Sequence, residues 1–291
     1  MSDTMRHNYL VEPKRLAEQL NDDSLRVYDA TVFLRPADRG YRAESGLSEY
    51  KERHVPGSAF LDQIHDISDT STGLGFTLPA PDHLQTALRG AGISNHDQVV
   101  FYSSSHIMWA TRAWWLLHYA GHEHVVVLNG GLSAWQAAEL TVERGINHYP
   151  KGTMTVNPRT ERFVDTAAVI SAIGDVDVCT VNALSPDVYS GESKMSYGRK
   201  GHISGSINLH YDDLLDDGRF RESVELEVVL RAKGILDAGR VIAYCGGGIS
   251  ATIDAFACLL VGKNEVAVYD GSMSEWVKDE SLPMTMGTDT G

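Results

Sequence analysis

The chain has 291 residues, 43% of them hydrophobic, and a formal net charge of −14. That length suits two typical domains better than one. No apolar run approaches the roughly 20 residues of a membrane span, no basic cluster offers a footprint for nucleic acid, and Met1 to Asn8 lack the apolar stretch of a secretory signal. A cytoplasmic protein without membrane or nucleic-acid partners is expected. Its acidity gives an anionic substrate no attraction from the overall field, so a local basic group would have to hold one.

Residues 26–28, 98–102 and 124–128 read as β-strands, short runs rich in β-branched and aromatic residues. Residues 109–119 carry apolar side chains at helical spacing. A polar stretch follows, punctuated by Tyr149-Pro150-Lys151-Gly152-Thr153 and Asn157-Pro158, and reads as a linker. Beyond it the pattern returns, with strands at 177–181, 240–244 and 266–269 and a helix from about 249 to 260. Strand, crossover helix, strand implies an α/β fold with a mostly parallel sheet flanked by helices.

Residue identities recur with the pattern. His54-Val55-Pro56-Gly57-Ser58 is echoed by His202-Ile203-Ser204-Gly205-Ser206, 148 residues on. Val99-Val100-Phe101-Tyr102-Ser103 is echoed 142 residues on by Val241-Ile242-Ala243-Tyr244-Cys245. Gly130 and Trp135 return 141 residues on as Gly271 and Trp276. Two tandem copies of one domain are therefore expected, at 1–150 and 158–291. His54 and His202, like Trp135 and Trp276, recur regardless of what else each copy carries, which favours structural roles for all four.

Three cysteines occur, Cys179, Cys245 and Cys258. Their odd number and wide spacing argue against a disulfide framework or a zinc site, and no metal or cofactor is expected. Cys179 sits in a strand and Cys258 in an apolar helix, both ordinary places for a core cysteine. Cys245 differs. It follows an apolar strand and precedes Gly246-Gly247-Gly248-Ile249-Ser250, which opens a helix. The carboxyl end of a parallel strand is where such sheets bind ligands. Glycines let amides turn inward, and a helix start adds partial positive charge. These features favour the thiolate, the nucleophilic form of cysteine. A phosphate cradle would want a Walker lysine, and a cysteine phosphatase an Arg where Ala251 stands. The matching turn in the first copy reads Ser103-Ser104-Ser105-His106 and cannot carry sulfur; without a G-x-S-x-G pattern it does not read as a hydrolase either.

Together these segments resemble the tandem rhodanese family, which contains thiosulfate and 3-mercaptopyruvate sulfurtransferases. Residues 50–58 are similar to its N-terminal signature and 266–276 to its C-terminal one, with Ser58 and Met273 at variant positions. The six-residue loop from Cys245 to Ser250 has the length of the sulfur-transfer branch. The resemblance implies that Cys245 takes a sulfane sulfur from a small-molecule donor and passes it to cyanide or a thiol, a thioredoxin-like reductant among them. It further implies that the amides of Gly246, Gly247, Gly248, Ile249 and Ser250 steady the persulfide. Thiosulfate enzymes of the family carry basic residues where Gly246 and Gly247 stand. Mercaptopyruvate enzymes carry a loop hydroxyl at Gly247, a His at Phe76 and an Asp-Ala-Arg where this chain has Asn182-Ala183-Leu184. Anion binding falls to Arg199 and Lys200, ahead of His202, with Arg35, Arg39 and Arg42 in a first-domain loop as further candidates. Ser250 is also placed to cap the helix. The alternative is a non-catalytic sulfur-binding or docking module on the same scaffold.

Overall fold

The structure, a computed structural model, describes residues 6–36 and 41–288. The first half runs β1 (Leu10–Val11), α1 (Pro13–Gln19), β2 (Leu25–Asp29), β3 (Val32–Pro36), β4 (Tyr41–Ser45), α2 (Leu47–Glu52), β5 (Ala59–Phe60), α3 (Pro81–Ala91), β6 (Gln98–Tyr102), α4 (Met108–Tyr119), β7 (Val125–Leu128) and α5 (Gly131–Ala137). The second runs β8 (Phe163–Val164), α6 (Thr166–Ala172), β9 (Val178–Asn182), α7 (Pro186–Ser190), β10 (His202–Ile203), β11 (Ile207–Asn208), β12 (Leu215–Asp216), β13 (Arg219–Phe220), α8 (Ser223–Ala232), β14 (Arg240–Tyr244), α9 (Ala251–Leu260), β15 (Val266–Tyr269), α10 (Ser272–Trp276) and β16 (Met284–Thr285).

Each half forms a five-stranded parallel sheet, ordered β5-β2-β6-β7-β1 in the first and β11-β9-β14-β15-β8 in the second. The two orders match strand for strand, with β6 and β14 at the centres. The strands and helices legible in the sequence lie within two residues of their expected bounds. The edge strands β1, β5, β8 and β11 are two residues long, too short to show a period. Residues 138–159 contain no helix and only an isolated bridge from Glu143 to His54.

The duplication extends to side-chain geometry. In the first copy the hydroxyl of Tyr102 accepts from the Val55 N–H at 3.1 Å and lies 2.9 Å from Ser58 Oγ. In the second, that of Tyr244 accepts from Ile203 N–H at 3.1 Å and lies 2.7 Å from Ser206 Oγ. His54 stacks on Tyr50 and His202 on Tyr189, with ring centroids 4.2 and 3.7 Å apart. In each, Nδ1 meets the carbonyl oxygen of its stacking partner, at 2.7 and 2.9 Å. The indole N–H of Trp135 donates to Thr141 O, and that of Trp276 to Pro283 O. All four residues are buried parts of the scaffold.

α4 and α9 are apolar on nearly every face because each lies between its own sheet and the other helix. Phe256 of α9 meets Trp114 edge-on at 5.0 Å, Tyr9 at 6.0 Å and Phe220 in a stack at 5.1 Å, so one apolar core crosses the boundary between the halves. Polar bonds rim it. The Thr111 and Thr252 hydroxyls share a hydrogen bond of 2.7 Å. Arg6 donates to the carbonyls of Phe220 and Arg221, and the Phe220 N–H donates to Asn129 Oδ1. Among the described residues, no helix is long and apolar enough to cross a membrane.

One buried carboxyl yields a pH-dependent expectation. Asp29, at the end of β2, accepts from the Thr31 N–H and hydroxyl and from the Ser104 hydroxyl. Burial nevertheless pushes it from 3.8 up to about 6. Its folded value exceeds its unfolded one, so its contribution to stability is fully present below about pH 4 and is lost as pH rises through about 6. That difference amounts to about 3 kcal/mol. Asn182 occupies the matching place in the second copy and makes the same bond, accepting from the Leu184 N–H at 2.8 Å. Asp29→Asn should therefore gain about 2–3 kcal/mol relative to the parent between about pH 4 and about pH 7, read from urea unfolding midpoints at the two pH values.

Candidate active site

β14 delivers Cys245 to the carboxyl end of the central strand, and α9 begins six residues later at Ala251. Cys245 is 2% exposed, and Gly247 is the one half-buried residue of the loop that follows. Among the described residues, none of the backbone N–H groups from Gly246 to Ala251 donates to a protein acceptor. Buried amides are nearly always paired, so this run is a ring of open donors at the start of a helix. Ser250, the residue before α9, makes no side-chain cap bond. The capping expected of it is absent, and the first amides of α9 stay open.

Most of the loop's carbonyls, in contrast, have partners. Cys245 O accepts from the Met273 N–H at 3.0 Å, and Gly246 O from the Ser274 N–H at 2.8 Å and the Ser274 hydroxyl at 2.7 Å. The Cys245 N–H donates to Ser272 Oγ at 3.1 Å. Ile249 O and Ser250 O accept from the Thr252 and Ile253 N–H groups. Gly248 has a φ of +75°, and a side chain there would meet Asp270 O at 2.6 Å, so the position requires glycine. Gly246 lies against the phenol end of Tyr197. Gly247 faces room instead. A methyl group on its Cα would have Gly75 O and Ser274 Oγ as nearest neighbours, both 3.9 Å away.

The matching turn of the first copy is filled. There the Ser104 N–H donates to Thr31 Oγ1 at 2.7 Å, and the Ser105 N–H to Ser103 Oγ at 3.1 Å. Hydroxyls thus occupy two of the donors whose counterparts stand open after Cys245.

Tyr197 and Tyr211 lie near Cys245. Burial first, then Cys245 for Tyr197 and Asp212 for Tyr211, raise both phenols, Tyr211 to about 12. Both stay neutral. Asp254, on the first turn of α9, is fully buried and neither of its carboxyl oxygens has a partner. Burial, and then Cys245, hold it well above the usual carboxylate range, so it too is neutral. Burial drives the other thiols the other way from reactivity: Cys179 is pushed up to about 11 and Cys258 further still.

Among the described residues, none of the basic candidates bonds to the loop. Nη1 of Arg199 donates to Asp279 O and Leu282 O at 3.1 and 3.0 Å, which fastens the C-terminal segment. Lys200 is exposed. Arg35 and Arg42 both pair with Glu44 on the β3–β4 arm, and Arg39 lies outside the described residues. A different arginine reaches the loop. Arg112 of α4, 1% exposed, donates to Gly248 O at 3.2 Å and pairs with Asp270 at 2.8 Å. The sequence signal for it was a single arginine inside an otherwise apolar helix, a residue that is buried only when paired.

Known proteins share the paired parallel sheets that carry this loop. The rhodanese-like domain model matches twice, at residues 12–138 and 176–279. The 3-mercaptopyruvate sulfurtransferase of Escherichia coli K12 is 30% identical over 271 residues, 92% of this chain and 95% of that one. The thiosulfate sulfurtransferase of Mus musculus is 34% identical over 293 residues, 92% of each chain. The crystal structure of the Escherichia coli 3-mercaptopyruvate enzyme superposes with a TM-score of 0.81 over 92% of this chain and all of that one, at 28% identity. An anaerobic ergothioneine biosynthesis enzyme from Chlorobium limicola superposes with the same score at 25% identity, over 98% of this chain and 71% of its own. The chain belongs to the rhodanese family, and it is an enzyme of the sulfurtransferase class.

The three loop glycines should differ sharply on substitution. Gly248→Ala forces an L residue into the left-handed region, a strain of about 1–2 kcal/mol before the clash with Asp270 O. Gly246→Ala must displace Tyr197. Gly247→Ala should keep the parent's melting temperature and most of its turnover, whereas the other two should lose at least about tenfold in turnover; thermal melts and steady-state rates on the three variants check the order.

Proposed function

We propose that the enzyme moves a sulfane sulfur from thiosulfate or 3-mercaptopyruvate to a thiophilic acceptor by way of a persulfide on Cys245. The observation that carries this reading is the run of open N–H groups from Gly246 to Ala251 around a buried cysteine. Such a ring stabilises a negative terminal sulfur without any charged side chain. The names of the relatives support the two donors.

The Cys245 thiolate attacks the outer sulfur of thiosulfate. The S–S bond of the donor breaks, its electron pair leaves with sulfite, and Cys245 retains a persulfide anion. With 3-mercaptopyruvate the C–S bond breaks instead, and the carbon keeps the electron pair and takes the thiol proton, releasing pyruvate. Cyanide or a thiolate then attacks the outer sulfur, and the persulfide's electron pair returns to Cys245. Thiocyanate or a new persulfide departs. A thioredoxin-like reductant fits as one such thiol, and a reducing cytoplasm keeps Cys245 in the free form that this cycle needs. The second copy is the catalytic one, and Ser103 leaves the first without a sulfur carrier.

Intact-mass measurement after incubation with each donor tests the scheme. One added sulfur on Cys245 is expected with at least one donor, none on Cys245→Ser, and an unchanged rate for Ser103→Ala. If neither donor adds sulfur while the folded protein's thiol still alkylates, the scaffold serves as a non-catalytic docking module instead.

A further inference from the structure

Arg112 belongs to the copy that lacks a nucleophile, yet its guanidinium ends in the catalytic loop. Nη2 lies 2.8 Å from Asp270 Oδ1 and 2.5 Å from Phe76 O, and Nη1 lies 3.2 Å from Gly248 O. Its carbon sits 4.9 Å from the ring centre of Phe163. The second oxygen of Asp270 accepts from the Leu78 N–H at 2.7 Å. One ion pair therefore joins α4, the segment at 76–78, the loop after Cys245 and the turn after β15.

A structural staple between two domains could use any spare carbonyl. This one uses Gly248 O, which among the described residues receives no hydrogen bond from its own half, whereas α10 holds the carbonyls of Cys245 and Gly246. The peptide unit is planar and trans, so drawing the Gly248 carbonyl toward Arg112 turns the Ile249 N–H the opposite way. We propose that Arg112, balanced by Asp270, is a positioning residue supplied by the first domain, which holds the loop with its amides turned toward Cys245. The catalytic half is then incomplete without its partner copy. The inference rests on Cys245 as the sulfur carrier, and its test keeps one readout that needs no sulfur donor.

The paired replacement Arg112→Met with Asp270→Leu removes both charges at once, which a fold tolerates better than losing one partner of a buried pair. It also removes the donor to Gly248. Two quantities are measured on the full chain: the rate at which iodoacetamide alkylates Cys245 at neutral pH, and kcat and KM with whichever donor loads the parent. Alkylation is expected to slow at least about tenfold in a variant that remains folded by circular dichroism, with kcat falling in parallel and KM within about twofold. An alkylation rate within about twofold of the parent overturns the inference, whether or not the parent accepts sulfur from either donor. Should the paired replacement not fold, Arg112→Lys is read by the same alkylation criterion, since it keeps a charge opposite Asp270 but has no second nitrogen for Gly248.

Discussion

A backbone N–H taken out of water without an acceptor costs a fold about 1–3 kcal/mol, and the loop after Cys245 gathers a run of them in one place. The rest of the site follows from keeping that arrangement open. Three loop carbonyls are held from elsewhere, by α10 at Cys245 and Gly246 and by Arg112 at Gly248. Glycine at 248 is dictated by a positive φ, and glycine at 246 by the ring of Tyr197. Three titratable neighbours, Tyr197, Tyr211 and Asp254, are kept neutral by burial, and the carboxylate of Asp270 is paired with Arg112.

The first copy builds the same scaffold around a different turn. The Tyr102–Ser58 and Tyr244–Ser206 corners are alike to within a few tenths of an ångström. At the turn beyond the central strand, however, Thr31 and Ser103 supply acceptors to the amides from within. The scaffold is repeated and the turn is not. To the loop after Cys245 the first half contributes the guanidinium of Arg112, carried on an apolar helix.

Much of this was legible in the residues. The duplication, the central strands and the glycine loop are local signals, set by short β-branched runs and by a string of three glycines. What the sequence hid depends on partners far along the chain. Arg199 precedes a recurring His, and its bonds to the carbonyls at 279 and 282 could not be read, because carbonyls leave no mark in a sequence. Arg112 stood in plain view within an apolar helix. Its meaning depended on Asp270 and Gly248, which are 158 and 136 residues away, and on two helices packing at a boundary that composition alone does not locate. Ser250 was a reasonable cap by type, and the structure uses the uncapped helix end instead.

The contact of Phe256 with Tyr9, Trp114 and Phe220 bears on how the molecule comes apart. Domains within one chain commonly meet through modest, polar surfaces and move or melt separately. Here the junction is aromatic and continuous with both cores, so opening it exposes the apolar faces of α4 and α9 together. Neither half retains a finished surface once the other is lost, and heating should produce a single cooperative transition rather than two.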